Sequence, residues 1–173
     1  MKWVTREYVH VDRTACPWLI KKFIDSEAEF IFVPTQNIED AVKTSGAIPF
    51  DAPGAKLGHR EGKCSFEAII EEYGLKDTAL HTLAKIVHAA DTKDAEAAPE
   101  GAGLSAVMIG IRLNSGNDFE AVEKAREVYE ALYAYSKSEI VKEKYEKGLE
   151  GLDGRQQRAF IKEKMISEFS DSS

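Results

Sequence analysis

The chain has 173 residues, a formal net charge of −7 and 43% hydrophobic residues, enough for one well-filled core of ordinary globular composition. Its lysines and arginines are interspersed with acids, which excludes a general nucleic-acid-binding surface, because neutralising phosphates needs clustered cations. No stretch is apolar for long enough to span a bilayer, and residues 1–7 lack the apolar run of a secretory signal. The expectation is therefore a cytoplasmic protein whose two cysteines are free thiols or metal ligands, with no membrane partner.

Residues 3–11 alternate and include β-branched and aromatic side chains, which predicts a strand. Pro17 suits the first turn of a helix, so a helix is expected over residues 17–24, with Cys16 at or beside its N-cap. Residues 29–33 read as a second strand stopped by Pro34, giving a β-α-β opening with parallel strands. A short helix over 38–44 ends at Gly46. Pro49, Pro53, Gly54, Gly58 and Gly62 make residues 47–63 a structured loop, with room for a short strand at 47–50.

Ser65 can cap a helix over 66–73, closed by Gly74, and Asp77 can cap another over 78–90. After a polar connection at 94–103, the strongly apolar residues 104–113 predict a buried helix. Asp118 opens a long helix in which Phe119, Val122, Arg126, Tyr129, Leu132 and Tyr133 recur at helical spacing, as a core stripe would. Apolar content falls from Ser136 onward, residues 148–154 break the chain, and 155–169 form a weakly amphipathic last helix. The fold class is α+β, predominantly helical, with an N-terminal β-α-β element packed against a C-terminal helical bundle. The division expected is a domain over 1–136 and a charged helical extension over 137–173.

Three groups of residues can carry chemistry. Asp12, Arg13 and Cys16 lie where a strand gives way to a helix, the place where open α/β units hold ligands. Free N–H groups and the helix dipole there would stabilise a thiolate or an anion, although Cys16 serves equally as a small buried hydrophobe and Asp12 with Arg13 as a structural pair. His59, Arg60 and Cys64 share a glycine-containing loop, so imidazole and thiol can converge on a metal ion or act as base and nucleophile. His88 and Asp91 are neighbours three apart near the end of one helix. An acid at that end wants a cationic or metal partner, unless it merely begins the turn. Phosphate-loop, dinucleotide, serine-elbow and zincin motifs are all missing from the sequence.

The ordered series Val11 to Ile20, Phe23 to Asp25, Phe30 to Pro34, Gly46 to Asp51, His59, Cys64 to Phe66 and Ala90 to Thr92 resembles the chromate-resistance protein family. The likeness is to the C-terminal domain of chromate resistance protein B, which also occurs as a stand-alone protein, and it covers about residues 3–136. It implies an association with chromate resistance and the regulation of its genes, and it matches the family's motifs at Asp12, Arg13, Cys16, His59, Cys64 and Asp91. His88 falls within the motif region.

The leading expectation is a cytoplasmic chromate-resistance-type protein that binds a small inorganic oxyanion or a metal ion in a composite pocket. Asp12, Arg13 and Arg60 would be its ligand-binding residues, and His59, Cys64, Asp91 and His88 would hold a divalent ion such as zinc or iron. The rival is a thiol- or metal-dependent enzyme, redox or hydrolytic, with Cys16 or Cys64 as nucleophile and His59 as base. A third reading is a non-catalytic helical interaction module whose C-terminal segment assembles a homo-oligomer.

Overall fold

A computed structural model describes residues 1–94 and 96–169; Ala95, in the expected 94–103 connection, lies outside it. The described chain runs β1 (Lys2–Arg6), α1 (Val11–Phe23), β2 (Glu29–Val33), α2 (Ile38–Ser45), β3 (Ile48–Pro49), α3 (Ser65–Glu72), α4 (Thr78–Thr92), α5 (Gly101–Leu113), α6 (Asp118–Lys144), α7 (Glu146–Leu149) and α8 (Gly154–Phe169). It is a mixed, predominantly helical α+β fold with a small N-terminal sheet. The sheet is parallel in the order β2-β1-β3, with Trp3 opposite both Phe30 and Ile48.

The central strand is buried on both faces, which is why Trp3, Val4 and Thr5 are all buried instead of alternating with polar residues. Trp3 joins the main core with Leu19, Phe50, Phe66, Ile69 and Leu83, while Val4 faces the smaller cluster of Ile38, Ala47 and Ala52 under α2. Helix α6 locks α1 in place. The Tyr129 hydroxyl donates to the Val11 carbonyl at 3.0 Å and lies 2.8 Å from Thr14 Oγ1, so this fully buried phenol is satisfied at both valences. Helices α4 and α5 approach so closely that a Cβ on Gly101 would stand 2.5 Å from that of Ala89.

Several local expectations are corrected. β1 stops at Arg6 and α1 begins at Val11, six residues before Pro17, so Pro17 lies inside the helix and Cys16 is far from its N-cap. The helix can start early because the Asp118 carboxylate accepts the N–H groups of Tyr8 and Val9, at 3.0 and 2.9 Å, fixing the turn before it. The proline breaks one helical hydrogen bond to the Arg13 carbonyl, and tertiary packing of the fully buried neighbours overrides it. The α3 cap is Cys64, with Ser65 one residue inside.

Helix α5 is not a buried helix: Gly101, Leu104 and Met108 face the core, while Val107, Ile109 and Leu113 are exposed. In α6 the buried stripe is Ala121, Ala125, Tyr129, Tyr133 and Ser136, and Phe119 sits outside it, edge-on to Phe32. The stripe advances by four or three residues, the helical repeat, but small residues carry three of its five positions and apolarity alone misplaces it. α6 runs unbroken through residues 136 and 137, and α8 packs on it without a buried residue.

Candidate functional site

The carboxyl ends of β1 and β3 open into a cleft of about 660 Å³ lined by Arg6, His10, Asp12, Arg13, Asp51, His59 and Asp91, among others. Ligand sites of parallel sheets form in this position, because the chain leaving each strand there must turn and can aim side chains inward. Asp12 and Arg13 come from the first turn of α1, Asp51 from two residues after β3, His59 from the long loop, and Asp91 from the last turn of α4.

Of the four non-glycine residues with positive φ among the described residues, Asp51 (41°) lines the cleft, Glu61 (50°) and Lys93 (61°) lie two residues after His59 and Asp91, and Tyr8 (60°) supplies the carbonyl that Arg13 binds. Such conformations are costly for side-chain-bearing residues and collect where a site must be held in shape.

Three carboxylates converge on one imidazole. His59 Nε2 lies 3.0 Å from Asp91 Oδ2, 3.2 Å from Asp12 Oδ2 and 3.6 Å from Asp51 Oδ1. Asp12 is almost fully buried; its Oδ2 also accepts the Ser65 N–H at 2.6 Å, at the start of α3, where the helix dipole favours an anion. Its Oδ1 is buried with no hydrogen-bond partner. The hydrogen bond to Asp12, with the charges of Asp12, Asp91 and Asp51 behind it, raises His59 to about 9 against the opposing effect of burial. Burial first, then the charges of Asp12 and Asp51, raises Asp91 to about 6.

Asp51 is neutralised separately. Its Oδ2 takes Arg6 Nη2 at 2.9 Å and Arg13 Nη1 at 2.8 Å, and its Oδ1 accepts the Ser65 hydroxyl at 2.9 Å. Arg13 Nη2 then donates to the Tyr8 carbonyl at 3.0 Å. Both guanidiniums are thereby engaged by one carboxylate, and among the described residues His59 is the one basic side chain within 4 Å of Asp12 and Asp91.

A second cluster lies beside the first. His59 and Cys64 flank a tight turn in which Arg60 and Lys63 exchange both backbone hydrogen bonds, at 3.2 and 2.8 Å. Glu61 and Gly62, its central residues, both have positive φ, the geometry that joins paired strands in two residues. The side chains of Arg60 and Lys63 reach Glu71, at 3.2 and 2.9 Å, so Arg60 lies outside the first cleft. Cys64 is buried and gathers with Glu67 and His88, their ligand atoms all within 4.8 Å of one another. His88 Nδ1 is 2.6 Å from Glu67 Oε2, which also accepts the Cys64 N–H at 2.9 Å.

The expected composite pocket thus divides: Asp12, Arg13, His59 and Asp91 share one centre, Cys64 and His88 another, and Cys16 belongs to the core. Burial, with the Asp12 charge next, pushes the Cys16 thiol well up, and the same two causes raise Cys64. Neither thiol is a ready nucleophile in this state. Sequence reasoning overlooked Asp51, Arg6 and Glu67. Cys64 and Glu67 do stand at capping-box spacing, and the structure has that box, so Glu67 was detectable; Asp51 carried its place after a short strand and at the end of the Gly46 to Asp51 string.

A family profile described as ChrB, C-terminal domain, matches residues 3–136. The chain belongs to this family. It is also 34% identical over 139 residues to the Protein ChrB of Cupriavidus metallidurans, an alignment covering 79% of this chain and 41% of that relative. The chain therefore spans well under half of the relative's length. No solved structure matches. Among the described residues no helix is long and apolar enough to cross a membrane.

Proposed function

We propose that this chromate-resistance-family domain binds a divalent metal ion through Asp12, His59 and Asp91, with Asp51 held beside them by Arg6 and Arg13. The observation that carries the reading is the spacing of the donors. Separations of 3.0 and 3.2 Å from His59 Nε2 to the two carboxylates match the roughly 3.0–3.4 Å edges of a polyhedron whose metal–ligand bonds are about 2.0–2.1 Å. The unpartnered Oδ1 of Asp12 gives a further oxygen donor.

A cation suits the charge better than an oxyanion does. A tetrahedral dianion would meet Asp12 and Asp91, while both arginines are engaged by Asp51. Carboxylate and imidazole donors accept zinc or iron and do not by themselves choose between them. The ion would displace the His59 proton, so binding tightens as pH rises. The same reading assigns the domain to the cytoplasm, where a reducing environment keeps both thiols free.

The test is metal analysis and thermal unfolding of the purified full chain, with and without zinc or ferrous ion. At a free metal concentration 100 times Kd, stabilisation of about 2.7 kcal/mol is expected. Asp91→Asn and His59→Ala should each weaken binding by at least ~10-fold, since even outer-shell partners matter that much. Stabilisation by chromate instead, abolished by Arg13→Ala, would transfer the site to the oxyanion reading.

A further inference from the structure

We infer that Cys64, Glu67 and His88 form a second, softer metal site, separate from the carboxylate-imidazole centre and able to load without it. Thiolate, carboxylate and imidazole are the donor types that zinc combines in one shell, and here one atom of each already lies within 4.8 Å of the others. Next to them a cleft of about 500 Å³, lined by His59, Arg60, Lys63, His88, Thr92 and Asp94, gives a solvent route to His88.

The choice of cap residue argues in the same direction. Cys64 sits at the N-cap of α3 in a capping box with Glu67, where serine or threonine would accept the backbone N–H better than a weakly accepting sulfur. What cysteine gains there is a sulfur at the positive end of a helix, an arrangement that favours the thiolate once a cation is bound. His88, three quarters of the way along α4, holds Nδ1 2.6 Å from Glu67 Oε2, so imidazole and carboxylate already face one another across the position a cation would take. On binding, the thiol proton and the proton shared by His88 and Glu67 pass to solvent, and the metal takes their place; no electron moves.

The two centres are neighbours in the chain as well as in space: Ser65, the residue after Cys64, donates its N–H to Asp12 and its hydroxyl to Asp51.

Cobalt(II) titration of the full chain under reducing conditions tests the proposal. The wild type and Cys16→Ala should develop a near-ultraviolet thiolate-to-cobalt charge-transfer band; Cys64→Ser, folded by circular dichroism, should lack it and bind one ion fewer. His88→Gln, which leaves the cap intact, should weaken this binding at least ~10-fold and covers the case of a misfolded Cys64→Ser. No band in folded wild type, a band surviving Cys64→Ser, or unchanged cobalt stoichiometry in both variants would overturn the proposal. Asp91→Asn should keep the band while losing the other ion, so failure of the carboxylate centre and failure of this one read out separately.

Discussion

The cleft at the ends of β1 and β3 and the outer face of α6 with α8 are both rich in charge, but they treat it in opposite ways. In the cleft, Asp12 and Asp51 are nearly fully buried, three carboxylates share one imidazole, and Asp12 Oδ1 has no partner. On α8 no residue is buried, and its charges meet solvent or pair across to α6, as Lys144 does with Glu168. Burying like charges is costly in the interior, and exposed pairs are nearly neutral in energy. A fold that keeps the costly arrangement in one place and the neutral one in another marks the first as the place where something other than stability is being served.

Asp51 gives that contrast its largest test. Replacing it with Ala leaves Arg6 and Arg13 facing each other without their shared anion and removes the acceptor for Ser65. Breaking a buried pair costs about 3–5 kcal/mol; the lower end, about 3 kcal/mol, is expected because both guanidiniums retain some solvent. Urea unfolding measures it. Asp51→Asn should recover part of the loss, since Asn tolerates the positive φ of 41° and still accepts a hydrogen bond. A loss below 1 kcal/mol for Asp51→Ala would show that this buried cluster behaves like a surface one.

How much of this was legible in the sequence depends on the range of the forces involved. The β-α-β opening, the cap at Asp77, the start of α6 at Asp118 and the end of α2 at Gly46 follow from local chemistry, and the structure has them. The start of α1 was hidden because it depends on Asp118, more than a hundred residues away, and on packing strong enough to hold Pro17 inside a helix. Helix α5 misled because apolarity without a period says nothing about which side is covered. At the site, residue types near strand and helix ends singled out Asp12, Arg13, His59, Cys64, His88 and Asp91. Their division into two centres was not readable, because it follows from the tight turn at Glu61–Gly62 and from the mate each side chain finds in three dimensions.

The pH dependence of the metal-free protein separates the two regions by a smaller effect. His59 is raised from 6.5 to about 9, so its contribution is complete below pH 6.5 and is lost as pH rises towards 9, when the neutral ring leaves Asp12 and Asp91 facing one another without a cation. Asp91, raised from 3.8 to about 6, acts with the same sign lower down: the folded chain binds this proton more tightly, so stability falls as pH rises across that window. Chelator-treated protein should therefore lose melting temperature as pH rises from 6.5 to 9, and His59→Gln should flatten this part of the curve. A melting temperature that rises between pH 6.5 and 9 in the absence of metal would contradict the charge balance described for the cleft.

The smallest effect belongs to the C-terminal charges. Lys144 donates to both carboxylate oxygens of Glu168, joining α6 to α8, and this contact holds Lys144 above and Glu168 below their ordinary values. Both side chains are solvated, so the attraction is screened and is offset by the rotamer freedom each gives up. Lys144→Ala should leave the urea midpoint within error of the parent and insensitive to salt, while metal binding at the cleft is unchanged. The α6–α8 junction then rests on apolar contacts such as the edge-on packing of Tyr145 with Phe160. Phe160→Ala should move the midpoint more than Lys144→Ala does, and the reverse ranking would mean that the charges at this end, like those in the cleft, are energetically coupled to the fold.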